Sequence, residues 1–119
     1  MTAVRPPRTP LVGSHIRLDP LLESDIPALF AAGYAACFLS AMHLVGKKLG
    51  VDTTDAGVSA SVGIGPNGEG GFGLAVELHI YIPAVPAERR QELADAAHTV
   101  CPYSNATRGN IEVTLTLVD

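Results

Sequence analysis

The sequence has no tryptophan, and its aromatic residues are three phenylalanines and three tyrosines. That leaves no platform on which nucleobases would stack. Charge is also sparse: 17% of the residues carry it, the net charge is −4 and the isoelectric point lies near 5.4. Such a balance gives no electrostatic footprint for nucleic acid or an anionic membrane. No serine stands in a GxSxG elbow, so an α/β-hydrolase reading has no nucleophile to start from. The four histidines, His15, His43, His79 and His98, form no i, i+3 or i, i+4 pair with one another. A compact zinc site is therefore not expected, and neither a metal nor an organic cofactor is implied.

The first ten residues hold three prolines and two arginines and no apolar core of signal-peptide length. The expected location is the cytoplasm, where a permanent disulfide is unusual and cysteines are more often catalytic or redox-active. Gly63-Ile-Gly65-Pro-Asn-Gly68 satisfies a GxGxxG pattern. A dinucleotide site needs a helix immediately after it, whereas an alternating run follows here, so the segment reads as a hairpin turn.

What the chain does have is one long apolar stretch. LFAAGYAACFLSAMH, residues 29–43, continues through Val45 and ends before Gly50. It predicts a helix from Ser24 or Asp25 to Leu49, apolar on nearly every face up to Val45, with Pro27 in its first turn. The stretch has about the length of a membrane span, but Ser40 and His43 interrupt it and lysines flank only one end, so a buried soluble helix is expected and not a membrane segment. A chain of 119 residues buries only about 65% of its unfolded surface by itself. A helix without a polar side therefore predicts a second subunit, as a homodimer.

Residues 1–24 show no sustained period of 2 or 3.6 and read as a loosely ordered arm before a single domain of residues 25–119. Val58, Ala60, Val62 and Ile64 alternate with small polar residues, and Leu74, Val76, Leu78, Ile80 and Ile82 alternate with Ala75, Glu77, His79 and Tyr81. Two such runs across a glycine-rich turn predict a β-hairpin. A second helix follows over residues 86–100, with Leu93, Ala96, Ala97 and Val100 as its buried stripe. After a short segment from Cys101, a last strand carries Ile111, Val113, Leu115 and Leu117. The order helix, strand, strand, helix, strand predicts an α+β fold, an antiparallel sheet packed on two helices.

Chemistry rests on two cysteines. Cys37 taken alone, in an alanine-rich buried helix, reads as a small hydrophobe, because burial raises a thiol pKa and leaves it inert. Cys101 precedes Pro102 at a helix start and lies near Arg108 in sequence, a setting in which N–H groups or positive charge would support a thiolate. The two are 64 positions apart, and spacing alone does not bring them together.

The segments LFAAGYAACF (29–38), VGIGP (62–66), GFGLAVEL (71–78) and DAAHTVCPYSNATRGNIEVTLTLV (95–118) closely resemble the organic hydroperoxide resistance proteins of the OsmC superfamily. The resemblance runs from about Ala28 to the C-terminus. It implies an intertwined OsmC-like homodimer and a thiol peroxidase, with Cys37 as the peroxidatic residue and Cys101 as the resolving one, joined by a disulfide during turnover. It further implies alkyl and fatty-acid hydroperoxides as substrates and dihydrolipoamide or a lipoylated protein as reductant. The family also carries an arginine near the reactive cysteine, held by a glutamate at the entry to the central helix; here that position is Pro27, and residues 1–24 do not align. Arg17 with Glu23 or Asp25 is available in place of that pair, and no role is assigned to them. The break in similarity leads us to expect a truncated or frame-shifted start. The alternative is a catalytically impaired dimer of the same fold, which binds hydrophobic molecules or senses oxidants through the two thiols.

Overall fold

A computed structural model of the protein describes residues 25–119; the N-terminal arm, including Arg17 and Glu23, lies outside the described residues. Helix α1 runs Asp25–Leu49, strands β1 and β2 run Gly57–Pro66 and Phe72–Tyr81, helices α2 and α3 run Ala87–Val100 and Pro102–Thr107, and strand β3 runs Glu112–Val118.

Helix α1 stops where its sequence says it should. Gly50 takes a left-handed φ of 72°, which only glycine adopts without cost, and the Val51 N–H reaches back to the Gly46 carbonyl at 3.0 Å. Arg89 adds a side-chain cap, donating from Nη1 to the Leu49 carbonyl at 3.1 Å. The hairpin between β1 and β2 is organised by Asn67, whose Oδ1 accepts from the N–H groups of Glu69 and Gly71. Its register pairs Pro66 with Phe72 and Gly57 with Tyr81, antiparallel as expected.

The sheet order is β1-β2-β3, and β3 pairs parallel to β2, from Ala75 opposite Glu112 to Tyr81 opposite Val118. The sheet is therefore mixed, which corrects the expectation of an antiparallel one. Helices α2 and α3 occupy the connection and carry the chain back, so β3 enters at the end where β2 entered. Alternation could not reveal this, since the side-chain period of 2 is the same in either direction.

The core lies between this sheet and the helices. Tyr34, Phe38, Met42 and Val45 of α1 meet Val76, Leu78 and Ile80 of β2 and Leu93, Ala94 and Ala97 of α2. Within one chain α1 is buried on this inner face only. Leu29, Ala32, Ala36, Ser40 and Leu44 form an outer stripe that stays exposed, Leu29 and Leu44 by 52% each. By length and composition alone this helix could cross a membrane, yet its inner face is the core of the fold. On α2 the buried stripe includes Ala94, while Val100, expected inside, is 39% exposed because the helix ends there and Cys101 turns extended.

Candidate active site

Cys37 sits in the middle of α1, half-buried, and Cys101 is fully buried at the junction of α2 and α3. The crossing of these elements brings the two together: their sulfurs are 3.2 Å apart as free thiols. Cys101 is held there by its own backbone, which donates to the Ala97 carbonyl at 2.9 Å and accepts from the Asn105 N–H at 3.0 Å. Pro102 then opens α3, its missing N–H costing nothing in a first turn.

Burial pushes the Cys37 thiol above its ordinary value of 9.0. The backbone N–H of Tyr103 pulls it back, and the neighbouring Cys101 raises it again. None of these influences is cationic among the described residues. Arg108, expected to support Cys101, donates instead to the His98 carbonyl at 2.7 Å and to Asn105 Oδ1 at 2.6 Å. The N–H support falls on Cys37 and comes from Tyr103.

Cys37 opens onto a groove of about 440 Å³ lined by Ser40, Ala41, Leu44, Val100 and Pro102, carbon apart from one hydroxyl. Such a lining solvates an alkyl chain well and a small polar solute poorly. A similar hollow of about 490 Å³ lies over polar residues of the sheet, including Glu77, Glu112 and Thr114, and contains no cysteine.

Behind the thiols runs a polar chain that the sequence reading did not single out. The Tyr34 hydroxyl lies 2.7 Å from Ser104 Oγ, which lies 2.8 Å from His98 Nδ1. Thr107 Oγ1 stands 3.4 Å from the same phenol and donates to the Ser104 carbonyl. Tyr34 and Ser104 are fully buried. Burial lowers the pKa of His98, Arg108 adds to the effect and Asp95 opposes it, so the ring is neutral at pH 7. A neutral imidazole carries one proton, so its tautomer sets which of His98 Nδ1 and Ser104 Oγ donates, and with it the direction of the Tyr34–Ser104 bond. The clue was spacing: Tyr34 is three residues before Cys37, and His98 and Ser104 are three before and three after Cys101.

The other described histidines, His43 and His79, pair elsewhere. His43 Nδ1 pairs with Thr53 Oγ1 at 2.9 Å, and His79 Nε2 with Glu77 Oε1 at 3.1 Å. Among the described residues no three His, Cys, Asp or Glu side chains are placed to hold a metal ion.

A family model described as OsmC-like protein matches residues 27–116. The organic hydroperoxide resistance protein of Xanthomonas axonopodis pv. citri is 54% identical over 90 residues, covering 75% of this chain and 63% of that protein. OhrB of Bacillus subtilis, an organic hydroperoxide resistance protein, is 43% identical over 90 residues, covering 75% and 65%. The crystal structure of an organic hydroperoxide resistance protein from Elizabethkingia anophelis superposes with a TM-score of 0.74 at 58% identity, covering 78% of this chain and 66% of that one. The chain thus spans somewhat less than two thirds of the length of the Xanthomonas and Bacillus relatives.

Proposed function

The chain belongs to the OsmC-like family, and from that premise we propose that it is a thiol peroxidase acting on organic hydroperoxides. The observation that carries the proposal is the pair of free thiols 3.2 Å apart beside a carbon-lined groove. Cys37 is the peroxidatic residue, since it is the one that faces the groove. Its thiolate attacks the terminal peroxide oxygen, the O–O bond breaks, and the alkoxide leaves and takes up a proton as the alcohol. Cys37 becomes a sulfenic acid, which condenses with the Cys101 thiol to a disulfide and water. A dithiol, dihydrolipoamide or a lipoylated protein, returns the two electrons by exchange with that disulfide. The chemistry needs no metal or organic cofactor.

The apolar groove favours alkyl and fatty-acid hydroperoxides over hydrogen peroxide. The exposed stripe Leu29, Ala32, Ala36 and Leu44, an apolar surface that a second copy would cover, supports a homodimer. The proposed setting is the reducing cytoplasm, where a resting dithiol persists.

The raised pKa of Cys37 favours a second reading, a dimer of the same fold that binds hydrophobic molecules or registers oxidants without turnover. One assay separates the two: consumption of an alkyl hydroperoxide with dihydrolipoamide as reductant, for the wild type and Cys37→Ser. Turnover that vanishes in the variant supports the peroxidase, and a folded wild type that consumes nothing supports the alternative.

A further inference from the structure

Tyr34 and Cys37 stand one turn apart on α1, and Cys101 and Ser104 stand one turn apart at the start of α3. The two turns meet as a double contact, sulfur on sulfur at 3.2 Å and phenol on hydroxyl at 2.7 Å. Through His98, 2.8 Å from the same Ser104 hydroxyl, the second contact also ties in α2. One buried oxygen therefore joins the three helices around the thiols. The six-residue α3 is also tied to α2 by the Cys101 N–H on the Ala97 carbonyl and by Arg108 on the His98 carbonyl, but the Ser104 oxygen is its side-chain hydrogen bond to α1 beside the thiols. The apolar contacts nearby, Tyr34 against Tyr103 and Phe30 with ring centroids 5.6 and 6.1 Å away, admit sliding, whereas a hydrogen bond fixes register.

The peroxidase reading, on which this inference rests, makes register matter in one step. The sulfurs must close from 3.2 Å to about 2.05 Å to form a disulfide. Meanwhile a second hydroperoxide competes for the sulfenate, giving a sulfinate and a second alcohol, and that product is not recovered by thiols. Whatever keeps Cys101 near Cys37 decides between the two fates.

We propose that Tyr34, Ser104 and His98 are positioning residues for the resolving step, holding Cys101 on Cys37 so that the sulfenic acid is trapped as a disulfide before a second hydroperoxide oxidises it. None of the three has a hydrogen bond to Cys37. Their loss changes the partition of the sulfenate and leaves the first attack within a few fold of wild type.

The test treats full-length wild type, Tyr34→Phe, Ser104→Ala, His98→Leu and His98→Asn with graded equivalents of an alkyl hydroperoxide. Mass spectrometry then reads Cys37 as disulfide or sulfinate, and single-turnover alcohol release reports the first attack. Tyr34→Phe, Ser104→Ala and His98→Leu are expected to raise the sulfinate-to-disulfide ratio about fivefold, the factor that one lost buried hydrogen bond makes in a population. His98→Asn keeps a hydrogen-bonding amide, donor and acceptor both, in place of Nδ1 and is expected to restore the wild-type ratio, which a purely structural role for the ring would not produce. Should Tyr34→Phe or Ser104→Ala fail to fold, the two His98 variants at a half-buried position carry the same comparison. A wild type that forms the disulfide alongside variants of unchanged ratio overturns the inference alone. A wild type that forms neither sulfenic acid nor disulfide overturns the peroxidase reading and this inference with it.

Discussion

Cys37 and Cys101, 64 residues apart in sequence, meet sulfur to sulfur at 3.2 Å where α1 crosses the α2–α3 junction. Closing that contact into a disulfide ties the central helix to the segment before β3, across most of the domain. A loop of that length restrains the unfolded chain by about 4 kcal/mol in the chain-entropy account. The oxidised protein is therefore expected to unfold at higher urea than the dithiol, by up to that free energy. Paired denaturation curves with and without reductant check it. Equal midpoints would mean that the disulfide strains the native state by as much as it restrains the unfolded one.

The reactivity of Cys37 follows from its surroundings. Burial holds its pKa above 9.0, so the thiolate fraction rises close to tenfold from pH 7 to 8 and is still rising at pH 9. Alkylation by iodoacetamide, with Cys101→Ser to isolate the site, is expected to follow that slope. A plateau below pH 9 would reveal a cation beside the thiol, supplied from outside residues 25–119. The same shift governs stability. The folded state keeps its proton where the unfolded thiol has lost it, so the contribution is intact below pH 9.0 and lost as pH rises through the folded value.

Gly46 is buried on the inner face of α1, and a Cβ built there would lie 2.6 Å from Thr53 Cγ2. Thr53 cannot swing away freely, because its Oγ1 is held by His43 Nδ1 at 2.9 Å. Gly46→Ala gains about 1 kcal/mol of helix propensity but must push this neighbour aside, at about 1–3 kcal/mol. The net expectation is a loss of up to about 2 kcal/mol, read as a lower urea midpoint. At Gly33 the nearest atom is the Tyr103 hydroxyl, the tip of a partly exposed side chain that can move. Gly33→Ala is expected to cost less than Gly46→Ala in the same assay.

The helices and strands were legible because each has its own period and punctuation: Gly50 after α1, Asn67 and its glycines between β1 and β2, Pro86 before α2. The direction of β3 was not, since Ile111, Val113 and Leu115 face the core equally well in a strand running either way. At the site, the segments around Cys37 and Cys101 pointed to the pair, whereas their distance depends on how α1 crosses the α2–α3 junction. Ser104 and Tyr34 carried no signal by type, because a serine and a tyrosine are ordinary in a helix. Only their contact, made 70 residues apart, turns them into a pair. The composition of α1 predicts that a second subunit covers part of it, and the outer stripe is the part that a single chain leaves exposed.

That stripe gives the last prediction. Leu29, Ala32, Ala36, Ser40 and Leu44 recur at intervals of three and four, so they share one face, and the groove beside Cys37 opens onto the same face through Ser40 and Leu44. If a second copy covers the stripe, its loss should separate the subunits and leave the inner core of Phe38, Met42 and Leu78 in place. Leu29→Glu with Leu44→Glu would set charges against their own symmetry mates or bury them unpaired, and either is costly across an apolar interface. The expected result is half the wild-type mass in light scattering, with the same far-UV circular dichroism. A double variant that keeps the wild-type mass would mean that this face is covered from within the chain, and the dimer would have to be sought on another surface.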